Sequence, residues 1–82
     1  MNFEKNVELD ARLVLAAMGD GINGVINFAF RNRHHFPTPN DATDRCDWLK
    51  KQSHKYIAEV SERAAAIERG EPSTSQEPIK SL

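Results

Sequence analysis

Gly19-Asp20-Gly21-Ile22-Asn23-Gly24-Val25-Ile26-Asn27-Phe28-Ala29-Phe30 is the stretch on which the fold turns. Ile22, Val25, Ile26 and Ala29 recur at helical spacing, whereas Ile26, Phe28 and Phe30 alternate as a strand would, and Asn23-Gly24 is a hairpin signal. A strand at 25–30 would have no pairing partner elsewhere in the chain, so a second short helix is the expectation. Gly19 and Gly21 each weaken a helix by about 1 kcal/mol. They interrupt whatever precedes them, as a hinge, a kink or a turn.

What precedes them is itself helical. Phe3, Val7, Asp10, Val14 and Ala17 fall on helical spacing, with Leu9, Leu13 and Ala16 beside them. Glu8 and Arg12 form a correctly oriented pair four residues apart. The spacing predicts a helix over Phe3–Met18, hence a broken helix over about 3–33.

Downstream, Pro37 and Pro39 deny regular hydrogen bonding to a loop at 34–38. Thr38-Pro39-Asn40-Asp41 then reads as a helix start: a Thr cap, Pro at the first helical position and an acid three residues after the cap. Leu49, Tyr56, Ile57, Val60, Ala64 and Ile67 form one stripe with Trp48 at its edge, which predicts a single long helix over about 39–69. Gly70 and Pro72 end it. The expected fold is all-α, a helical hairpin or small three-helix domain over 1–70. The Pro-, Ser- and Glu-rich segment 71–82 is expected to be a disordered tail, too polar to offset the entropy of ordering.

An 82-residue chain supports one domain with a thin core. Its apolar residues exceed what one partner helix can cover: Leu13-Val14-Leu15 alone spans most of a helix circumference. Large exposed apolar patches are rare on soluble monomers, so self-association, as a homodimer or other homo-oligomer, is expected. Cys46 is the single cysteine, which fits a reducing compartment. The N-terminus lacks the basic and apolar regions of a secretion signal, and Leu13–Met18 is too short an apolar run to span a membrane. A cytoplasmic protein without membrane attachment is the expectation. Net charge is −1, so no general attraction to nucleic acid arises.

Four groups of residues could carry chemistry. Arg31 and Arg33 could contact phosphates with Phe36 stacking on a base, against a plainer reading in which Phe36 folds back onto the core. His34, His35, Cys46 and His54 are zinc-type ligands, but their spacing fits no common zinc site, and no metal or other cofactor is expected. Catalysis by Cys46 would need a water-excluding cleft; no phosphate loop or nucleophile motif is present, so the chain is not expected to be an enzyme. The apolar face is the fourth. Phe30, Trp48 and Tyr56 are the aromatics most suited to anchor a partner, although core packing is the expected role of at least two of them.

Ala29-Phe30-Arg31-Asn32-Arg33-His34-His35-Phe36-Pro37 resembles a little the segment after the first helix of the theta accessory subunit family of bacterial DNA polymerase III. That family is small, helical and non-catalytic. The likeness spans 29–37 alone, and the interval from Pro37 to Trp48 is shorter than that family's, so it is set aside as coincidence and no residue's role is carried over. The function expected from the residues themselves is protein binding: an accessory factor or inhibitor of the kind common in phages and mobile elements. The alternatives are a nucleic-acid-binding module using Arg31, Arg33 and Phe36, or a purely structural homo-oligomer.

Overall fold

A computed structural model describes residues 3–70; the tail expected at 71–82 lies outside the described residues. The chain is all-α: α1 runs Val7–Arg31, α2 Pro39–Lys50 and α3 His54–Glu68. No strand occurs among the described residues, and 25–30 is helix.

α1 begins later than the apolar spacing suggested. Asn6 has extended backbone, and its side chain accepts from the Leu9 N–H, so Phe3–Lys5 lead into the helix rather than belong to it. The glycine-rich interruption is a sharp turn. Asp20 and Gly21 leave helical geometry, and Gly21 takes φ +58°, a left-handed conformation that suits glycine. The arms 7–19 and 22–31 then fold onto each other: Leu9 and Leu13 of the first share one buried cluster with Val25 and Ala29 of the second. In a straight helix Leu13 and Val25 would stand roughly 18 Å apart. Gly24 sits at a close approach of the arms; a Cβ there would lie 2.0 Å from the Ala16 carbonyl oxygen. By length and composition α1 is apolar enough to cross a membrane, with mean hydropathy 1.5 over its best window. The break at 20–21 leaves neither arm near the ~20 residues a span requires.

The connection to α2 is tied by Asn32, whose carbonyl accepts from the N–H groups of His35 and Phe36, both at 2.9 Å. This tight turn delivers Phe36 to the first core cluster, where it is 2 % exposed. α2 starts as its sequence indicates, with the Asp41 carboxylate accepting from the Thr38 N–H at 2.9 Å.

The single long helix expected over 39–69 is two helices. The Gln52 side chain donates to the Trp48 carbonyl at the end of α2, and the Ser53 hydroxyl accepts from the Tyr56 N–H at the start of α3. Each of these local polar side chains thus satisfies one of the backbone groups orphaned at its new end. The break lets the stripe of the second half turn onto α1. Tyr56, Val60 and Ala64 bury against Ala11 in a second cluster, with Val7, Val14, Leu15, Trp48, Leu49 and Ile67 packed around it. α2 and α3 each pack on α1 far more than on each other, so α1 is the centre of the domain. Gly70, at φ +88°, closes α3.

Candidate functional site

The most distinctive exposed feature is apolar and lies on the second arm of α1. Val25 and Ala29 point into the core, being 3 % and 1 % exposed. Ile22, Ile26 and Phe30 recur at intervals of four, so they form one inclined row along the side of the arm. Ile22 is 59 % exposed, Phe30 is 52 % exposed and Ile26 is half-buried. Met18, 70 % exposed, ends the first arm beside the turn. Exposed Asp20 precedes the row, and exposed Arg31 and Arg33 follow it. The Arg33 guanidinium lies over the Phe30 ring at 6.0 Å.

The most elaborate polar arrangement is buried. Asp10, fully inside, joins all three helices. Arg45 of α2 grips its carboxylate with two nitrogens, through Nε and, at 3.1 Å, through Nη2. The Tyr56 hydroxyl of α3 donates to Oδ2, the oxygen that Arg45 Nη2 also contacts. Arg45 Nη2 also donates to the Glu4 carbonyl at 2.7 Å, and the Tyr56 oxygen accepts from the Asn6 N–H at 2.9 Å. The guanidinium carbon sits 4.8 Å from the Trp48 ring centre and 5.5 Å from that of Phe3. Burial, and next the hydrogen bond to Asp10, push the Tyr56 phenol up to about 12. The Asp10 carboxylate has its donors and is fully enclosed, while Arg45 and Tyr56 reach the surface only at the edges of shallow hollows. The arrangement holds the three helices together.

The anticipated site residues separate accordingly. Of the three partner-binding aromatics, Tyr56 is 4 % exposed and belongs to the core, so its position gives no outer surface to a partner. Trp48 is half-buried, with its ring edge-on to both Phe3 and Tyr56. Phe30 is exposed. Of the basic-tip residues, Arg31 and Arg33 are exposed but Phe36 is in the core, where its ring lies 5.8 Å from that of Phe28. The stacking aromatic that a nucleic-acid reading requires is therefore not at the surface.

His34 and His35 stack on one another at 4.2 Å and line a polar hollow of about 450 Å³ with Asn6, Glu8, Arg12 and Asn32. Partial burial, then the charges of His34 and Arg45, lower the His35 pKa from its ordinary value. Among the described residues, no group of three or more His, Cys, Asp and Glu side chains is placed to hold a metal ion. Cys46 is half-buried against the first cluster, and burial raises its thiol pKa. Glu8 bridges Arg63, at 2.7 Å, and Arg12, at 2.9 Å, tying α3 to α1.

Sequence reasoning passed over Asp10 and Arg45. Asp10 carried a signal, since it is an acid standing in the apolar stripe with Val7 and Val14. Arg45 carried none, lying among Asp41, Asp44, Asp47 and Lys50 in what reads as a solvated face.

Comparison with protein-family models, with curated proteins and with solved structures finds no match.

Proposed function

We propose that this protein is a small, non-catalytic, cytoplasmic binding module that acts as an accessory factor or inhibitor by docking on protein through the outer side of the second arm of α1. The observation that carries the reading is the exposure of Met18, Ile22 and Phe30, the exposed large apolar residues among those described. Each leaves apolar area in water that a polar residue would not, and exposed large apolar side chains gathered on one stretch of chain are of the kind that marks an association surface. Aromatics such as Phe30, with an arginine stacked beside them, are frequent anchors of such surfaces. The buried polar network supports the reading indirectly: the charged and aromatic groups best suited to chemistry are used in holding the helices.

The test is a pull-down with the tagged full chain from lysate, with and without nuclease, run beside Ile22→Glu and Phe30→Glu. The reading expects a stoichiometric protein that survives nuclease and is lost with either variant. Partners that vanish with nuclease would overturn it and move the function to Arg31 and Arg33. A partner retained by both variants would place the docking surface elsewhere.

A further inference from the structure

We propose that the turn at Asp20–Gly21 is a hinge, and that α1 has a second, straight state in which two copies of the chain exchange their first arms. In that state residues 3–19 of each copy pack on the second arm, α2 and α3 of the other. The exchange stands whether or not the second arm docks on a target.

The sequence pattern runs straight through the bend. Ala11, Leu15, Met18, Ile22, Val25 and Ala29 follow one another at alternating intervals of four and three, the spacing of a continuous apolar seam on one straight helix. Arg12, Asp20, Asn23, Asn27 and Arg31 fall on the far side. In the bent helix this seam is cut in the middle. Ala11, Val25 and Ala29 are buried, whereas Met18 and Ile22, on either side of the turn, are 70 % and 59 % exposed. Straightening rejoins the seam, and a two-fold axis beside residue 20 sets Met18 of each copy against Ile22 of the other.

The bent state, by contrast, hangs on two glycines. Gly21, at φ +58° and ψ −139°, takes a conformation that a residue with a Cβ rarely adopts. At Gly24 a Cβ would run into the Ala16 carbonyl oxygen of the first arm. A straight helix needs neither glycine. Positions 16 and 24 then stand roughly 12 Å apart, and no proline occurs between Val7 and Arg31 to oppose a continuous helix.

Exchange keeps the contacts that hold the fold. Leu9 and Leu13 leave Val25 and Ala29 of their own chain and meet those of the other. Asp10 finds Arg45 and Tyr56, and Glu8 finds Arg63, in the other copy. The interface is therefore the core itself, formed between chains rather than within one. The first arm must leave its own chain before it can be exchanged, so the dimer forms on refolding at high concentration rather than on mixing. Exchange also covers Ile22 and so withdraws part of the apolar row from solvent.

The full chain refolded from urea at about 1 mM should give a dimer by size exclusion that refolding at about 1 µM does not, and the dimer should outlast dilution. Nitroxide labels on Arg12→Cys and Arg31→Cys, in a Cys46→Ser background, read the length of α1 by pulsed dipolar spectroscopy. Labelled chain is diluted into unlabelled chain before refolding, so that only distances within one copy are seen. The dimer should show roughly 28 Å of helix between the labels. The monomer should show a much shorter separation, because Leu13 and Ala29 share a cluster. Gly21→Ala combined with Gly24→Ala should raise the dimer fraction at least about tenfold. Lengthening the turn with an inserted Gly-Gly-Gly should lower it at least about tenfold, since longer hinges relieve exchange. A parent that stays monomeric after refolding at about 1 mM overturns the proposal. So does a dimer in which the distance stays short, or a double-alanine variant that remains a bent monomer. Should that variant not fold, the parent and the lengthened chain decide by the same two readouts.

Discussion

Replacing Arg45 with methionine removes the cation from a carboxylate that has no access to water. Asp10 is 0 % exposed and Arg45 is 5 % exposed. Breaking such a pair by deleting one partner costs about 3–5 kcal/mol, because the remaining charge stays buried. The contacts of the guanidinium with the Trp48 and Phe3 rings contribute a further ~1 kcal/mol. The lost bond to the Glu4 carbonyl matters less, since Glu4 is exposed and water can replace the donor. A core this thin sustains a total stability of only about 3–5 kcal/mol. Arg45→Met should therefore be largely unfolded at room temperature, as followed by far-ultraviolet circular dichroism and urea titration. The triple variant Asp10→Leu, Arg45→Met, Tyr56→Phe removes every charge and hydroxyl of the network at once. It frees the Asn6 N–H and the Glu4 carbonyl, both on exposed residues. Apolar replacement of a whole buried pair is often neutral or stabilising, so the triple variant should refold to within about 2 kcal/mol of the parent. A single variant that loses less than about 1 kcal/mol would refute the reasoning.

Gly24→Ala should destabilise by about 2–3 kcal/mol or more through overpacking against the Ala16 backbone. Gly19→Ala, which meets nothing within 4 Å, should stay within ~1 kcal/mol of the parent in the same thermal melts. Tyr56 is the only tyrosine, so the phenolate absorbance of the chain reports it alone. With its folded pKa raised to about 12 and an unfolded value near ~10, the stabilisation should be whole below pH ~10 and lost as pH rises toward about 12. Tyr56→Phe should remove that alkaline limb. Burial pushes the Glu8 carboxyl up, but its bonds to Arg63 and Arg12 outweigh this and set it below its usual value. Its contribution is therefore present at neutral pH and lost as acid titrates it through the folded pKa, and Glu8→Gln should flatten the acid limb of stability against pH. Cys46, with its thiol raised by burial, should react slowly with iodoacetamide in the native protein and rapidly in denaturant.

The helical class was legible because its signals are local. Thr38-Pro39 with Asp41 starts a helix through contacts that span three residues, and Gly19 and Gly21 interrupt one through backbone preference. The return of Phe36 to the core was visible as the plainer alternative to stacking. The break at 51–53 was not legible. Lys51-Gln52-Ser53 contains no glycine or proline, and the apolar spacing runs through it. Only a serine cap marks the spot, and its worth depends on α3 finding α1. Tyr56 illustrates the same difficulty. As an aromatic it suits an interface anchor as well as the core, and the Asp10 carboxylate, far away in sequence, takes its hydroxyl and fixes it inside. Arg45 is the extreme case, since its surroundings in the sequence are charged and its partner comes from another helix. For the candidate surface, Phe30 was identifiable from residue type. Ile22 was not separable from the core residues Val25 and Ala29 until the turn at Gly21 set which side of the arm faces inward.

The two clusters differ in how much chain they require. The first, from Leu9 to Ala42, has all its members once α2 has begun; the second joins Ala11 to Tyr56, Val60 and Ala64. Synthesis proceeds at about 5–20 residues per second, so Ala64 follows Ala42 by roughly 1–4 s. Helices and short loops close in microseconds. On a ribosome, the doubled-back α1 can gather its first set of partners long before the second set exists. For much of that interval Asp10 has Arg45 in the chain but not yet Tyr56, and the side of α1 destined for α3 is open to chaperones. The architecture thus imposes an order of assembly, in which the carboxylate is sealed last.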